Sequence, residues 1–138
     1  MANTKIIGSA AAENTGNTYT TKLEANGLEL IADEPKEYGG NEKGPAPADY
    51  LCMALASCKA ITIRMYAQRK QWRLDDINVT AKLVKGDQMA SGKNTFFCEV
   101  KLSGDLTDEQ LKRILEISKV CPVDRLLTKQ NEVVTVIE

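Results

Sequence analysis

Apolar residues recur at spacings of three and four through the middle of the chain and alternate with polar ones on either side, which predicts a long helix between two antiparallel hairpins. The segments TYTTKLEA and LELIADE flank Asn26-Gly27, the dipeptide best suited to a two-residue turn with both central residues at positive φ. An earlier stretch, KIIGSAAAE, adds a candidate strand. From Asp33 to Pro47 the chain reads DEPKEYGGNEKGPAP, a concentration of Pro, Gly and charge that predicts a loop long enough to line a site. A helix follows over Asp49 to Lys70, roughly 30 Å at ~1.5 Å per residue. Leu51, Leu55, Cys58, Thr62 and Met65 fall on one face of it, so Cys58 is expected to point toward packing.

Beyond the helix, INVTAKLV and FFCEVKL alternate, with Ile77, Val79, Ala81 and Leu83 on one face and Phe96, Cys98, Val100 and Leu102 on the other's matching face. They predict a second hairpin. TDEQLKRILEISKV then opens with Thr107 and Gln110 as a capping box and carries Leu111, Ile114 and Leu115 at helical spacing. A terminal strand, NEVVTVIE, completes the order β-β-β-α-β-β-α-β, with PVDRLLT a short extra helix before it. That order describes an α+β fold, taken as one domain over 1–138.

Composition narrows the chemistry. The 138 residues include no histidine, which excludes imidazole-based triads and His-ligated metals. A net charge of -1 with both signs mixed along the chain gives no basic stripe for nucleic acid and no polybasic membrane anchor. No apolar run approaches the ~20 residues that span a bilayer, and the first residues lack a signal-peptide core, so a cytoplasmic setting is expected. Four cysteines, Cys52, Cys58, Cys98 and Cys121, never form a C-x-x-C pair, which argues against zinc or iron–sulfur binding. They are expected to rest as thiols.

Cys121 stands before Pro122, which disfavours helical backbone at Cys121 and suits the first position of a new helix. As N-cap it would feel the positive helix end, and Arg125 lies within a turn, so its pKa is expected to fall below ~8.5. The alternative is a small buried residue closing a helix corner. Cys58, mid-helix, gains nothing from the dipole and needs a cation brought by the fold to ionise. Cys98 alternates with Phe96 and Val100 and reads as core; Cys52, about 240° round the helix from Cys58, reads as structural. Asp49 is expected to be a cap or solvated carboxylate, and Trp72 a packing anchor.

The blocks IADEPKEYGG, GPAPADYLCMALASCKAITIRMYAQRKQW and GDLTDEQLKRILEISKVCPVDRLL resemble the OsmC/Ohr family, named for osmotically inducible protein C and organic hydroperoxide resistance protein. The R-M-Y-A-x-R-K helix ending is similar to the OsmC-like branch. The resemblance implies an intertwined α+β homodimer and a thiol peroxidase acting on organic hydroperoxides. It implies Cys58 as peroxidatic thiolate, Cys121 as the resolving thiol, and an external dithiol as reductant, with no metal, flavin or haem. The apolar neighbours of Cys58 would favour an alkyl or lipid hydroperoxide. The family's activating arginine comes from the N-terminal segment, whereas this chain has no arginine before Arg64, leaving Lys22, Arg64 or Arg125 for that role. Its glutamate ten residues before the nucleophile is replaced by Ala48, with Asp49 one residue later. The other reading is a non-catalytic dimer of this fold that binds a small ligand or senses redox state through its thiols.

Overall fold

Three strands open the part of the chain that the computed structural model describes, residues 4–138: β1 (Ala11–Glu13), β2 (Thr21–Ala25) and β3 (Leu28–Ala32), antiparallel in that order. Asn26 and Gly27 turn β2 into β3 with φ of 53° and 77°, the left-handed pair that this dipeptide tolerates. The strand expected over KIIGSAAAE is confined to its last three residues, because Gly8 and the small side chains after it give the backbone little to pack.

The Pro/Gly-rich loop after β3 has only one short turn of 3-10 helix, Lys36–Tyr38, yet it is fixed by a single carboxylate. Asp33 is 2% exposed and accepts from the Thr20 hydroxyl at 2.6 Å, from the Glu34 N–H at 2.8 Å, and from the Asn41 and Lys43 N–H groups at 3.3 Å. These donors, the Thr20 hydroxyl foremost, hold its carboxyl below the usual carboxylate range. The Tyr50 hydroxyl adds a 2.6 Å bond to the Ile31 carbonyl.

The chain divides into two compact units, one ending at Tyr50 and the other spanning Leu51–Glu138. Helix α1 (Pro47–Lys70) starts two residues before the expected Asp49. Pro47 fits the first helical position, where its missing N–H costs nothing, and the Asp49 carboxylate accepts from the Ala46 N–H at 2.9 Å. After α1 come β4 (Arg73–Val84) and β5 (Thr95–Asp105), an antiparallel pair, then α2 (Asp108–Ser118) and α3 (Pro122–Leu127). The two strands form the expected hairpin, and the register sets Ile77 opposite Leu102, Val79 opposite Val100, Ala81 opposite Cys98 and Leu83 opposite Phe96. Register slips once, between Leu74 and Asp76, beside Gly104 at φ 147°. A Cβ on Gly104 would sit 2.5 Å from the Arg73 carbonyl oxygen, so only glycine fits the close approach. Arg64 donates to the carbonyls of Leu74 and Asp75 at this irregularity.

The core of the second unit is Ile63, Ala67, Leu74 and Ile114, with Trp72, Val100 and Leu102 packed against it. Trp72 meets Tyr66 edge-to-face at 5.4 Å between centroids, an anchor just past the end of α1. Thr107 and Gln110 form the expected capping box, with bonds of 3.2 and 2.9 Å.

Two expectations are corrected. The buried face of α1 is Leu55, Lys59, Ile63, Tyr66 and Ala67, whereas Leu51 and Met65 are exposed and Cys58 and Thr62 half-buried. The helix carries apolar residues nearly all round, so periodicity alone does not select the inward face. The terminal NEVVTVIE segment is not a strand; Val133, Val134, Val136 and Ile137 are all exposed. Alternation predicts a strand only where a neighbouring strand can accept and donate its backbone bonds, and among the described residues none pairs with it.

Truncating Ile63 to Ala should destabilise the protein by about 2–5 kcal/mol in urea denaturation, since its side chain is fully enclosed. Because the folded-state pKa of Asp33 is depressed, its contribution to stability is present above the unfolded value of ~3.9 and is lost as pH falls below it. Asp33→Asn should therefore flatten the stability–pH profile in that acid range, read as thermal midpoints across a pH series.

Candidate functional site

Cys58 and Lys59 are consecutive on α1, and both reach the corner between α2 and α3. Ser118 ends α2, and Cys121 caps α3 with extended backbone, φ -67° and ψ 149°, as the following Pro122 requires. Cys121 is 0% exposed, and the Cys58 thiol lies close enough to raise its pKa, both cysteines being free. The structure thus brings together two sulfur atoms that are far apart in sequence.

Beside them sits a charge that sequence reasoning missed. Lys59 is 5% exposed, and its Nζ donates to the Asp124 carboxylate at 2.7 Å and to the Ser118 carbonyl at 2.6 Å. One ammonium group therefore ties α1 both to the last residue of α2 and to the first turn of α3. Its carbonyl partner is among the orphan acceptors at a helix C-terminus, which need a donor when buried. A lysine four residues after Leu55 and four before Ile63, inside an apolar run, was the available signal that this position faces inward.

The Cys121 thiol is pushed above its ordinary value, first by burial and further by the neighbouring Cys58. This corrects the expectation of a lowered pKa. The Asp124 N–H faces the sulfur and favours its ionised form, although no capping hydrogen bond is formed, and the Lys59 charge acts in the same direction; desolvation outweighs both. Arg125 is exposed in the last turn of α3 and takes no part in this balance.

Of the other residues singled out, Lys22 pairs with Glu29 at 3.3 Å within the first hairpin, and that bond raises its pKa. Arg64 is engaged with the β4 carbonyls, and Asp49 caps the start of α1. Cys98, expected in the core, is exposed; it borders a cavity of about 910 Å³ together with Leu55, Lys59, Phe96, Asp124 and Leu127. Burial pushes its thiol up, opposed by the Lys59 charge, and Cys52 of α1 is close enough to add to the upward shift. Cys98 faces the side predicted by alternation, but β5 at that point borders an opening rather than packed side chains. A second groove, about 750 Å³, is walled by Thr62, Met65 and Tyr66 of α1 and by Ile117, Val120 and Pro122, the last two flanking Cys121. Among the described residues no group of three Cys, Asp or Glu side chains is arranged to hold a metal ion, and no helix is long and apolar enough to cross a membrane.

A long helix whose Cys58 is set against Cys121 at a helix corner, in an α+β fold with antiparallel sheets, defines the class. Residues 39–136 match the family described as OsmC-like protein, and the chain belongs to that family. Among solved structures it is similar to an OsmC-like protein from Mycoplasma pneumoniae, with TM-score 0.71, 17% identity, and coverage of 91% of this chain and 88% of that one. It is also similar to an organic hydroperoxide resistance protein from Elizabethkingia anophelis, with TM-score 0.61, 24% identity and 91% of each chain covered. A third, organic hydroperoxide resistance protein OsmC from Legionella pneumophila, has TM-score 0.59 and 22% identity, covering 90% and 92%. These likenesses establish the fold. Among curated proteins none matches.

The difference in exposure and the raised Cys121 thiol set an order of reactivity. Iodoacetamide applied to the folded, reduced protein near pH 8 should label Cys58 before Cys121, as followed by peptide mass spectrometry; equal labelling would contradict the burial of the second thiol.

Proposed function

We propose that the protein is a thiol peroxidase that reduces organic hydroperoxides to alcohols, with Cys58 as nucleophile and Cys121 as resolving thiol. The observation that carries this reading is the closeness of a half-buried and a fully buried cysteine, both free and near enough for one to shift the other's titration. The Cys58 thiolate attacks the distal oxygen of the peroxide, the O–O bond breaks, and the departing alkoxide takes a proton to leave as alcohol. Cys58 is then a sulfenic acid. Cys121 attacks its sulfur, expels water and forms the Cys58–Cys121 disulfide. An external dithiol returns both cysteines to thiols, in a cycle that needs no metal, flavin or haem, within a reducing, cytoplasmic setting.

The groove of Met65, Tyr66, Ile117 and Val120 beside Cys121 supports an alkyl or lipid hydroperoxide in preference to hydrogen peroxide, since apolar walls favour an apolar chain. Exposed Ile61 and Met65 on α1, with Leu111 and Leu115 on α2, support a homodimer that covers them. Family membership and the names of the Elizabethkingia and Legionella proteins support the substrate class.

One equivalent of cumene hydroperoxide should lower the mass of the reduced protein by two hydrogens and link Cys58 to Cys121 in peptide maps. With a dithiol donor, Cys58→Ser should consume peroxide at the background rate, while Cys121→Ser should stop at a sulfenic acid that dimedone traps. An unchanged mass would instead favour a protein of this fold that binds a ligand without turnover.

A further inference from the structure

We propose that Lys59 and Asp124 are positioning residues whose ion pair holds Cys121 in register with Cys58 and sets the charge around the two sulfurs; this rests on the reading that the two thiols act as a pair. Three contacts converge on one corner: the Cys58 thiol on Cys121, the Lys59 ammonium on Asp124 at 2.7 Å, and the same ammonium on the Ser118 carbonyl at 2.6 Å. Cys58 and Lys59 are neighbours on α1, and Cys121 and Asp124 stand one helical turn apart at the start of α3. The charged contact is therefore one rung from the sulfur contact, and neither helix can slide or turn without losing both.

Stability does not account for this arrangement. An ion pair with one partner enclosed and the other half-buried gains little over a well-packed apolar pair of similar volume, because the lysine charge has been taken out of water. What the ion pair adds is direction. An ammonium with two fixed acceptors specifies where the end of α2 and the start of α3 lie, whereas apolar contacts would tolerate sliding. The titratable groups that bear on the Cys121 sulfur are Cys58 and Lys59 from α1; Asp124 acts on it through its backbone N–H, while its carboxylate is paired with Lys59 at 2.7 Å, and Cys98 on β5 responds to the charges of both Lys59 and Asp124. Lys59 favours a thiolate at this corner, and the Asp124 carboxylate offsets that charge.

The two partners consequently have opposite electrostatic effects and a shared geometric one, which separates this role from simple packing. The test uses the full chain with Cys52→Ser and Cys98→Ser, so that the ultraviolet thiolate absorbance reports only the two remaining sulfurs. Lys59→Met should move the second thiol titration to higher pH, whereas Asp124→Asn, which keeps an oxygen for the ammonium and removes the carboxylate charge, should move it to lower pH. In a glutathione buffer, two glutathiones reduce the protein disulfide and leave as glutathione disulfide. Loss of register separates the two sulfurs, and this outweighs the opposite, smaller effect of removing a charge that favours the thiolate, so the disulfide-to-dithiol ratio at fixed buffer should fall about tenfold in Lys59→Met, a shift of ~30 mV for this two-electron couple, and recover in Lys59→Arg. If Lys59→Met does not fold, Lys59→Met with Asp124→Leu replaces the pair by apolar side chains, and the same fall in ratio is expected. A titration and a ratio like those of the parent in Lys59→Met, or a parent-like ratio in the double variant, would overturn the proposal. A parent protein that forms no disulfide in glutathione, yet shows the opposed titration shifts, would count against the peroxidase reading and uphold the positioning role.

Discussion

An ammonium group enclosed as fully as that of Lys59 is stable only where its charge and its donors are matched. Asp124 matches the charge and Ser118 takes a further donor, so the end of α2 and the start of α3 are placed by what a side chain of α1 requires. The position of Cys121 follows. It lies between those two acceptors in sequence, and Pro122 fixes its backbone in the extended form that turns the chain into α3. The meeting of the two thiols is in this sense a consequence of a charge, and the apolar core of Ile63, Ala67, Leu74 and Ile114 supplies the frame in which that charge is confined.

The electrostatics of the site result from competition between burial and nearby charge. A thiol at a helix N-cap is commonly expected to be acidic, but α3 is only six residues long and Cys121 is wholly enclosed. Desolvation then exceeds the combined pull of the Asp124 N–H and the Lys59 charge. The half-buried Cys58 has solvent access that Cys121 lacks. A difference of that kind gives a dithiol two distinct roles, one sulfur open to a substrate and one withheld until the first has reacted.

The hairpins, the three helices and the alternating faces of β4 and β5 were legible in the sequence because each is encoded locally. Asn26-Gly27 dictates its turn, Thr107 and Gln110 their cap, and the alternation from Ile77 to Leu83 and from Phe96 to Leu102 the shared face on which the two strands meet. The inward face of α1 was not legible, since residues on several sides of it are apolar and the deciding residue, Lys59, is polar. Its burial depends on Asp124, distant in sequence, and no spacing rule connects the two. Likewise the last residues carry a strand pattern without a strand, as pairing is supplied by a neighbour and not by alternation. Of the four residues suggested around the thiols, Arg64, Lys22 and Asp49 each have a nearer task, and only their partners in space reveal it.

Adjacent side chains on a helix diverge by about 100°, so Cys58 and Lys59 address different parts of the same corner. Inserting or deleting one residue anywhere between Leu55 and Ile63 would swing one of them out of its place while leaving the helix itself intact. The number of residues along this stretch is thus constrained by the corner as firmly as their identities are.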